Sequence, residues 1–124
     1  MNIIISNSSD KPIYEQIVDQ IKDHIIKGYL NELEPLPSIR SLAKDLHISV
    51  ITTKRAYDEL EKEGFIVTIA GKGSFVAAQN KELLRESRIK IVEEKIAEVV
   101  FAAKSANLTY SELEEMLRIF YEEV

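Results

Sequence analysis

Two short helical patterns in tandem, each preceded by a serine, constrain this chain more than any other feature. Ser38 can cap a helix over Ile39–Leu46, and Ser49 can cap a second helix that ends at Gly64. A tight turn at His47-Ile48 joins them. Two short helices joined in this way, the second capped by serine or threonine, are typical of a helix-turn-helix.

The spacing of apolar residues predicts which side of each helix is buried. The first helix has one apolar face, and the second repeats apolar positions at i, i+3, i+4 and i+7. These faces comprise Ile39, Leu42, Ala43 and Leu46 in the first helix, and Thr53, Ala56, Tyr57 and Leu60 in the second. The side chains predicted to point away from the core are Val50, Ile51, Lys54, Arg55 and Asp58.

Val50 and Ile51 are unusual at the exposed start of a helix that already has a full core face. In a DNA major groove they could contact thymine methyl groups, and the adjacent Lys54 could reach a phosphate or a guanine edge. Ser49 and the helix N-terminus could hold a phosphate. The alternative is that Val50 and Ile51 pack against neighbouring elements of the same chain.

Flanking patterns complete a winged helix. Lys11 to Tyr29 is predicted to form an amphipathic helix with Asp10 as its N-cap and Gly28 at its end. After Gly64 the period changes, and two short β-branched and aromatic runs flank a glycine-rich turn. The predicted hairpin comprises Phe65–Ile69, the turn Ala70–Gly73 and Ser74–Ala77. The sequence therefore predicts a DNA-binding domain over 10–78.

The tail, 79–124, is predicted to be helical and to form a dimer. Its first seam is heptad-like, and a second stripe follows a break at Asn107-Leu108, with Thr109 or Ser111 restarting the helix. Ser111 and Glu114 match a capping box. The seam comprises Ile89, Val92, Ile96, Val99 and Ala103, and the stripe comprises Tyr110, Leu113, Leu117, Phe120 and Val124. We expect Ile89, Val92, Ile96, Val99, Leu113, Leu117 and Phe120 to meet a second subunit; the alternative is that they fold back on the winged helix.

Charge and composition narrow the function. The net charge of −5 disfavours broad, nonspecific nucleic-acid binding, but Arg40 to Arg55 contains four basic residues and one acidic residue. Such a local basic face predicts modest, salt-sensitive affinity for nucleic acid.

No apolar stretch is long enough to cross a membrane, no secretory signal is evident, and the absence of cysteine excludes disulfides and fits a cytoplasmic location. His24 and His47 lie on different elements, and no catalytic or cofactor motif stands out, so we expect no enzyme, metal or cofactor.

Several ordered blocks resemble the DNA-binding domain of the GntR family of bacterial repressors, and the short tail is similar to the small YtrA-type branch. The blocks are Pro12-Ile13-Tyr14-x-Gln16-Ile17, Gly28-Tyr29-Leu30, Leu36-Pro37-Ser38-Ile39-Arg40-Ser41-Leu42-Ala43, Ile48-Ser49, Lys54-x-Ala56-Tyr57-x-x-Leu60-Glu61-x-Glu63-Gly64-Phe65 and Gly71-x-Gly73-Ser74-Phe75-Val76. The resemblance implies a homodimer on a near-palindromic operator, often beside genes for an ABC-type transporter.

Carried onto this chain, the resemblance places DNA contacts on Arg40, on the start of the second short helix and on the wing turn. The full set that we expect at the DNA surface is Ser38, Arg40, Ser49, Val50, Ile51, Thr52, Lys54, Arg55, Gly71 and Lys72. Many family members have arginine, which reads a guanine, at the position of Val50. We therefore expect a shift towards A/T at the base pairs beneath Val50 and Ile51.

The predicted fold class is mainly α with a small β-hairpin, namely an N-terminal winged helix-turn-helix and a C-terminal two-helix dimerisation segment. The predicted function is a dimeric transcriptional repressor that binds double-stranded operator DNA. The alternative is a winged-helix module that binds protein instead of DNA. The tail is too short to enclose a drug-sized pocket of about 300 Å³ within one subunit, so whether a small-molecule effector exists stays open.

Overall fold

The computed structural model describes residues 1–123. In chain order its elements are α1 (Ile13–Ile26), α2 (Ile39–Leu46), α3 (Val50–Lys62), β1 (Ile66–Ile69), β2 (Gly73–Val76), α4 (Lys81–Ser105) and α5 (Tyr110–Glu123). They fall into two compact units, one ending at Arg85 and the other starting at Glu86. The first contains a winged helix-turn-helix, which confirms the predicted mainly helical fold with one small hairpin. Within residues 1–123, no helix is long and apolar enough to cross a membrane.

Helix α3 lies at the centre of the first unit and packs against α1, α2 and β1. Its predicted apolar face is buried throughout, and the hydroxyl of the buried Thr53 donates to the Ser49 carbonyl at 3.1 Å. The predicted stripe of α1 covers it from one side through Ile17, Ile21 and Ile25. Burying a large aliphatic side chain stabilises a fold by about 1.5–3 kcal/mol, so this shared face fixes how α3 is held.

The connector before α2 pairs with the free edge of the hairpin (the wing) through an isolated bridge, which the sequence did not indicate. β1 and β2 pair antiparallel, with Ile66 opposite Val76. On the other edge of β2, the Leu33 amide donates to the Val76 carbonyl at 2.8 Å and the Leu36 amide donates to the Ser74 carbonyl at 2.9 Å. Pro35, which has no amide hydrogen to donate, lies opposite Phe75 between these bonds. The wing is therefore tied to the segment that leads into the helix-turn-helix.

Two glutamines of α1 bind the N-terminal segment as a strand edge would. The Gln20 carboxamide accepts from the Ile4 amide at 2.8 Å and donates to the Ile4 carbonyl at 2.7 Å. One turn earlier, Gln16 makes the same pair of bonds with Ser6, at 2.8 and 3.0 Å. These bonds hold the segment against α1, and Ile3 is buried in the core. The first unit thus includes residues that precede the predicted start at residue 10.

Four helices each end in the same type of turn, in which a residue with positive φ follows the helix. These residues are Gly28, His47, Gly64 and Asn107, with φ of 84°, 56°, 81° and 57°. In each turn, the amide of this residue donates to the carbonyl three positions earlier, and the next amide donates to the carbonyl five positions earlier. This is a Schellman motif, and the predicted helix ends at Gly28 and Gly64 are confirmed.

The predicted N-cap of α1 and the predicted capping box of α5 were wrong, whereas Thr109, one of the two residues predicted to restart the last helix, does so. Helix α1 begins at Ile13 with Pro12 as its N-cap and no side-chain cap, so Asp10 does not cap it. A residue that precedes proline is disfavoured in the helical region, which keeps Lys11 outside α1. The capping box at the start of α5 is formed by Thr109 and Glu112 and not by Ser111 and Glu114.

The turn at Asn107 explains that shift. The Leu108 amide closes the turn onto Ala103, so the chain can re-enter a helix immediately afterwards. The Thr109 amide donates to Glu112 Oε1 at 3.0 Å, and the Glu112 amide donates to Thr109 Oγ1 at 3.2 Å. The Thr109 amide, and next the Thr109 side chain, hold the pKa of Glu112 below its ordinary value because they stabilise the carboxylate. Val124, the last residue of the predicted stripe, lies outside the described residues.

His47 has the left-handed conformation that a glycine adopts without steric cost. We expect His47→Gly to raise the free energy of unfolding by roughly 0.5–1 kcal/mol, because it removes the steric cost of Cβ at positive φ. Urea unfolding followed by circular dichroism at one fixed protein concentration measures the change.

The matched control is Asp45→Gly, two residues earlier at an exposed helical position. Glycine there should lower the free energy of unfolding by a similar amount, about 0.5–1 kcal/mol. Destabilisation of both variants to the same extent would contradict the strain at His47.

Candidate nucleic-acid interface

Serines cap the two helices of the helix-turn-helix, as predicted. Ser38 Oγ accepts from the Ser41 amide at 3.1 Å. Ser49 Oγ accepts from the Thr52 amide at 3.0 Å and donates to Thr52 Oγ1 at 2.7 Å. The Thr52 hydroxyl hydrogen is thereby left for an acceptor outside the chain. The first amides of a helix have no acceptor within it, so the start of α3 favours an anion.

The apolar tip of α3 is exposed. Val50 is 49% exposed and Ile51 is 81% exposed, so neither side chain is buried against the wing or α1. Because the core face of α3 is complete without them, packing within the chain does not account for these two residues. They form a small apolar surface directly after the Ser49 cap, where a base edge with a methyl group could fit.

The two basic residues in the first half of α3 each have a partner within the chain. Lys54 Nζ lies 2.8 Å from Asp58 Oδ2 on the exposed side of the helix. The Arg55 guanidinium carbon lies 3.9 Å from the centre of the Tyr14 ring of α1, in a cation–π contact. Arg55 is therefore held towards α1, and its planar group is oriented before any ligand arrives.

Arg40 and Lys72 differ from Lys54 and Arg55 in having no such partner among the described residues. Both are exposed, and neither has an acidic side chain within ion-pair distance among residues 1–123. Lys72 lies at the wing tip between Gly71 and Gly73, which have φ of 77° and 111°, and open space surrounds both glycines. The wing tip can therefore approach a flat or grooved surface closely. Because Arg40 forms no ion pair within the described residues, its guanidinium remains available to a ligand.

All ten residues predicted at the DNA surface lie in the first unit. Two belong to the start of α2, six to the Ser49 cap and the first half of α3, and two to the wing tip. Sequence reasoning did not assign a role to Tyr14 or to Asp58. The i, i+4 spacing of Lys54 and Asp58 was visible in the sequence, whereas the contact between Arg55 and Tyr14 depends on how α1 and α3 pack.

Tyr57 fixes the start of α2 relative to α3. Its hydroxyl donates to the Pro37 carbonyl at 2.6 Å, one residue before the Ser38 cap, while its ring is buried in the core. Burial raises the pKa of Tyr57 to about 12. One side chain thus sets the geometry of the helix that contains Arg40.

The seam and stripe predicted to contact a second subunit are largely uncovered in one chain. Ile89 and Leu113 are partly buried, but Val92, Ile96, Val99, Leu117 and Phe120 are between 48% and 64% exposed. Helices α4 and α5 make no extensive contact with each other of the kind that joins α1 to α3. Five of the seven residues predicted to contact a second subunit therefore face solvent in one chain.

The two histidines do not suggest a metal site. His24 Nδ1 lies 2.6 Å from the Gln20 carbonyl of its own helix, and its ring meets the edge of Tyr29. His47 occupies the turn between α2 and α3. Among residues 1–123, no group of three or more histidine and acidic side chains is arranged to hold a metal ion.

Comparison with known proteins supports the same interpretation. Residues 13–76 match the family model of bacterial regulatory proteins of the gntR family. The chain is 34% identical to the transcriptional repressor YtrA of Bacillus subtilis over 116 residues, which cover 94% of this chain and 89% of that protein.

Solved structures have the same fold. YtrA from Sulfolobus acidocaldarius, a GntR-family transcription factor, is 38% identical with a TM-score of 0.60, and the match covers 77% of this chain and 97% of that one. The DNA-binding domain of AraR, solved in complex with operator ORX1, has a TM-score of 0.55 over 62% of this chain and 96% of its own. At 22% identity, the likeness to AraR shows the fold alone.

Tyr57 gives a prediction for alkaline pH. Its pKa is about 12 in the folded chain against an ordinary value of 10.0, so the folded state keeps the proton while the unfolded state loses it. The contribution of this group to the free energy of unfolding is therefore fully present below pH 10, and it is lost as the pH rises from 10 to 12. Absorbance at 295 nm should show one of the five tyrosines ionising only near pH 12.

Tyr57→Phe should remove this late ionisation and should lower the free energy of unfolding at neutral pH by about 0.5–1.5 kcal/mol, because the bond to Pro37 is lost. Tyr29→Phe, which alters an exposed tyrosine, is the control and should leave the late ionisation in place. If Tyr57→Phe instead removed a tyrosine that ionises near pH 10, the burial of this hydroxyl would be disproved.

Proposed function

Because the chain belongs to the GntR family of bacterial regulatory proteins, we propose that it binds operator DNA as a homodimer and represses a transporter-type operon. The single observation that carries the proposal is the start of α3, where exposed Val50 and Ile51 follow a serine cap and leave the core face complete. The names of its relatives support repression, since YtrA of Bacillus subtilis is a transcriptional repressor.

We assign phosphate contacts to Arg40 and Lys72, which form no ion pair within residues 1–123. Arg40 at the start of α2 and Lys72 at the wing tip are exposed, and each can neutralise a phosphate without first breaking an ion pair. The Ser38 and Ser49 caps place helix N-termini and a threonine hydroxyl where further phosphates can bind. These contacts fix the position of the domain on the duplex and carry no sequence information themselves.

We assign the contacts with base edges to α3. Val50 and Ile51 can contact thymine methyl groups, and Lys54 can donate to guanine O6 and N7. Arginine, which reads guanine in many relatives, is replaced here by Val50. We therefore propose that A/T pairs are preferred beneath Val50 and Ile51.

A second copy of the chain supplies the cover for α4 and α5. Two helices with Val92, Ile96, Val99, Leu117 and Phe120 exposed would be unstable in water as isolated elements. A heptad-like seam is the pattern that packs against another helix. A two-fold dimer would present two α3 helices to two half-sites, which accounts for a near-palindromic operator.

DNA in a bacterium lies in the cytoplasm, where we place the protein. A dimer on an operator near a promoter would repress by occupying the site. The transporter assignment rests on the YtrA-type resemblance of the whole chain, and the genes beside its own test it directly. Deletion of the gene should raise the transcripts of the controlled operon.

Mobility shift tests DNA binding. A fragment from upstream of the chain's own gene, run at 50 and 200 mM salt, should form a complex that weakens steeply at the higher concentration. Lys72→Gln should lower affinity for specific and nonspecific duplexes alike and should reduce the slope of log affinity against log salt by about 0.9, because one phosphate contact is lost. Lys27→Gln, which alters the lysine after α1 that is already paired with Asp23, should leave the slope unchanged. Absence of any salt-sensitive complex would favour the alternative of a protein-binding module.

Sedimentation equilibrium tests the dimer. The wild type should behave as two 14.1 kDa chains, and Ile96→Asp should shift it towards one chain because a charge would be buried in the seam. Lys90→Asp introduces the same side chain at an exposed position outside the seam and should remain dimeric. A wild type that is monomeric at micromolar concentration with a cooperatively folded tail would refute the dimer.

A further inference from the structure

The ion pair between Lys54 and Asp58 lies on the outward side of the helix assigned to base reading. The two charged atoms are 2.8 Å apart, and the side chains are 62% and 59% exposed. Val50 precedes Lys54 by four residues and Asp58 follows it by four, so the three lie in a row along one side of α3. An acidic group in such a row is unexpected opposite a polyanion.

Stability does not account for this pair. Exposed ion pairs contribute little to folding, commonly less than about 1 kcal/mol. Its direction is also the less favourable one, because the base precedes the acid along the helix. The pair between Asp23 in α1 and Lys27, the residue that follows the helix, has the favourable direction at a similar distance, 2.9 Å. The reversed order on α3 therefore points to a role in what α3 binds.

The effect of Asp58 on Lys54 has a simple geometric basis. A lysine ammonium is a point charge on a long, flexible stem and would otherwise bind the nearest phosphate. It has three donors, so one can remain on Asp58 while the other two reach O6 and N7 of a guanine. Arg40 and Lys72, which have no such partner in residues 1–123, remain available for phosphates.

We propose that Asp58 is a positioning residue that holds Lys54 on the base edges of the operator and away from the phosphates. It acts as a specificity determinant, since it converts a cation that would bind any duplex into one that discriminates between base pairs. This inference rests on the proposed function and names how α3 achieves selectivity.

The experiment compares specific and nonspecific binding. Wild-type protein selects duplexes from a library with a random 20-base-pair segment, and the enriched duplex and a scrambled duplex of equal composition serve as probes. Affinities are measured from 50 to 200 mM salt for the wild type, Asp58→Asn, Lys54→Gln and the double variant. Asp23→Asn is the matched control, because it removes the acid from the other i, i+4 pair.

Asp58→Asn should bind the scrambled duplex several-fold more tightly, with a salt slope steeper by about 0.9, because Lys54 becomes a phosphate contact. Discrimination between the two duplexes should fall roughly five- to tenfold, and the preference for G·C at the pair read by Lys54 should weaken. In the Lys54→Gln background, Asp58→Asn should leave the slope and the discrimination unchanged. Asp23→Asn should match the wild type in both.

Two kinds of failure are distinguishable. If the wild type enriches no sequence, the proposed operator binding is overturned, and this inference with it. If the wild type selects an operator but Asp58→Asn alters neither slope nor discrimination, the positioning role alone is overturned. The same holds if Asp58→Asn has an equal effect without Lys54, because Asp58 would then act by direct repulsion of phosphate.

Discussion

The first unit depends on the burial of one side of α3. Thr53, Ala56, Tyr57 and Leu60 contact α1, α2 and β1 at once, so this face orients the two other helices and the wing about α3. Because that face of α3 is completely buried, the side chains on the opposite face are not needed for core packing. They are therefore available for recognition. The same burial that stabilises the fold therefore determines which residues can meet DNA.

Capping serves both stability and recognition in this arrangement. Ser49 is needed to begin α3 immediately after a turn closed by His47, and its hydroxyl bonds with Thr52 also leave a donor facing outwards. Tyr57 makes a comparable link, since its buried ring belongs to the core while its hydroxyl fixes the segment before α2. Mutation at either residue would thus alter stability and geometry together, whereas Val50 and Ile51 can change without disturbing the core.

Sequence patterns predicted what depends on periodicity and on local capping. The buried face of α3, the Ser38 and Ser49 caps and the hairpin all follow from side chains a few residues apart. The bridge between the connector and β2 was missed because it forms through backbone groups that leave no side-chain pattern. The segment held by Gln16 and Gln20 was missed because these side chains bind backbone groups, so the residues that they hold carry no pattern. The capping box of α5 was assigned to the wrong pair for a different reason: two overlapping sequences match a capping box, and only the turn at Asn107 decides between them.

The distribution of charge reconciles an acidic protein with an acidic partner. With a net charge of −5, the chain gains little from long-range attraction to DNA. The few cations at the proposed DNA surface must therefore each bind effectively. In the part of the chain that the structure describes, Arg40 and Lys72 have no acidic partner, while Lys54 and Arg55 on α3 are held by Asp58 and Tyr14. An oriented cation loses less conformational entropy when it binds the edge of a base, and it moves less readily to a neighbouring phosphate. A weakly charged surface of this kind favours discrimination over affinity, and a second copy of the chain would restore the affinity by binding two half-sites together.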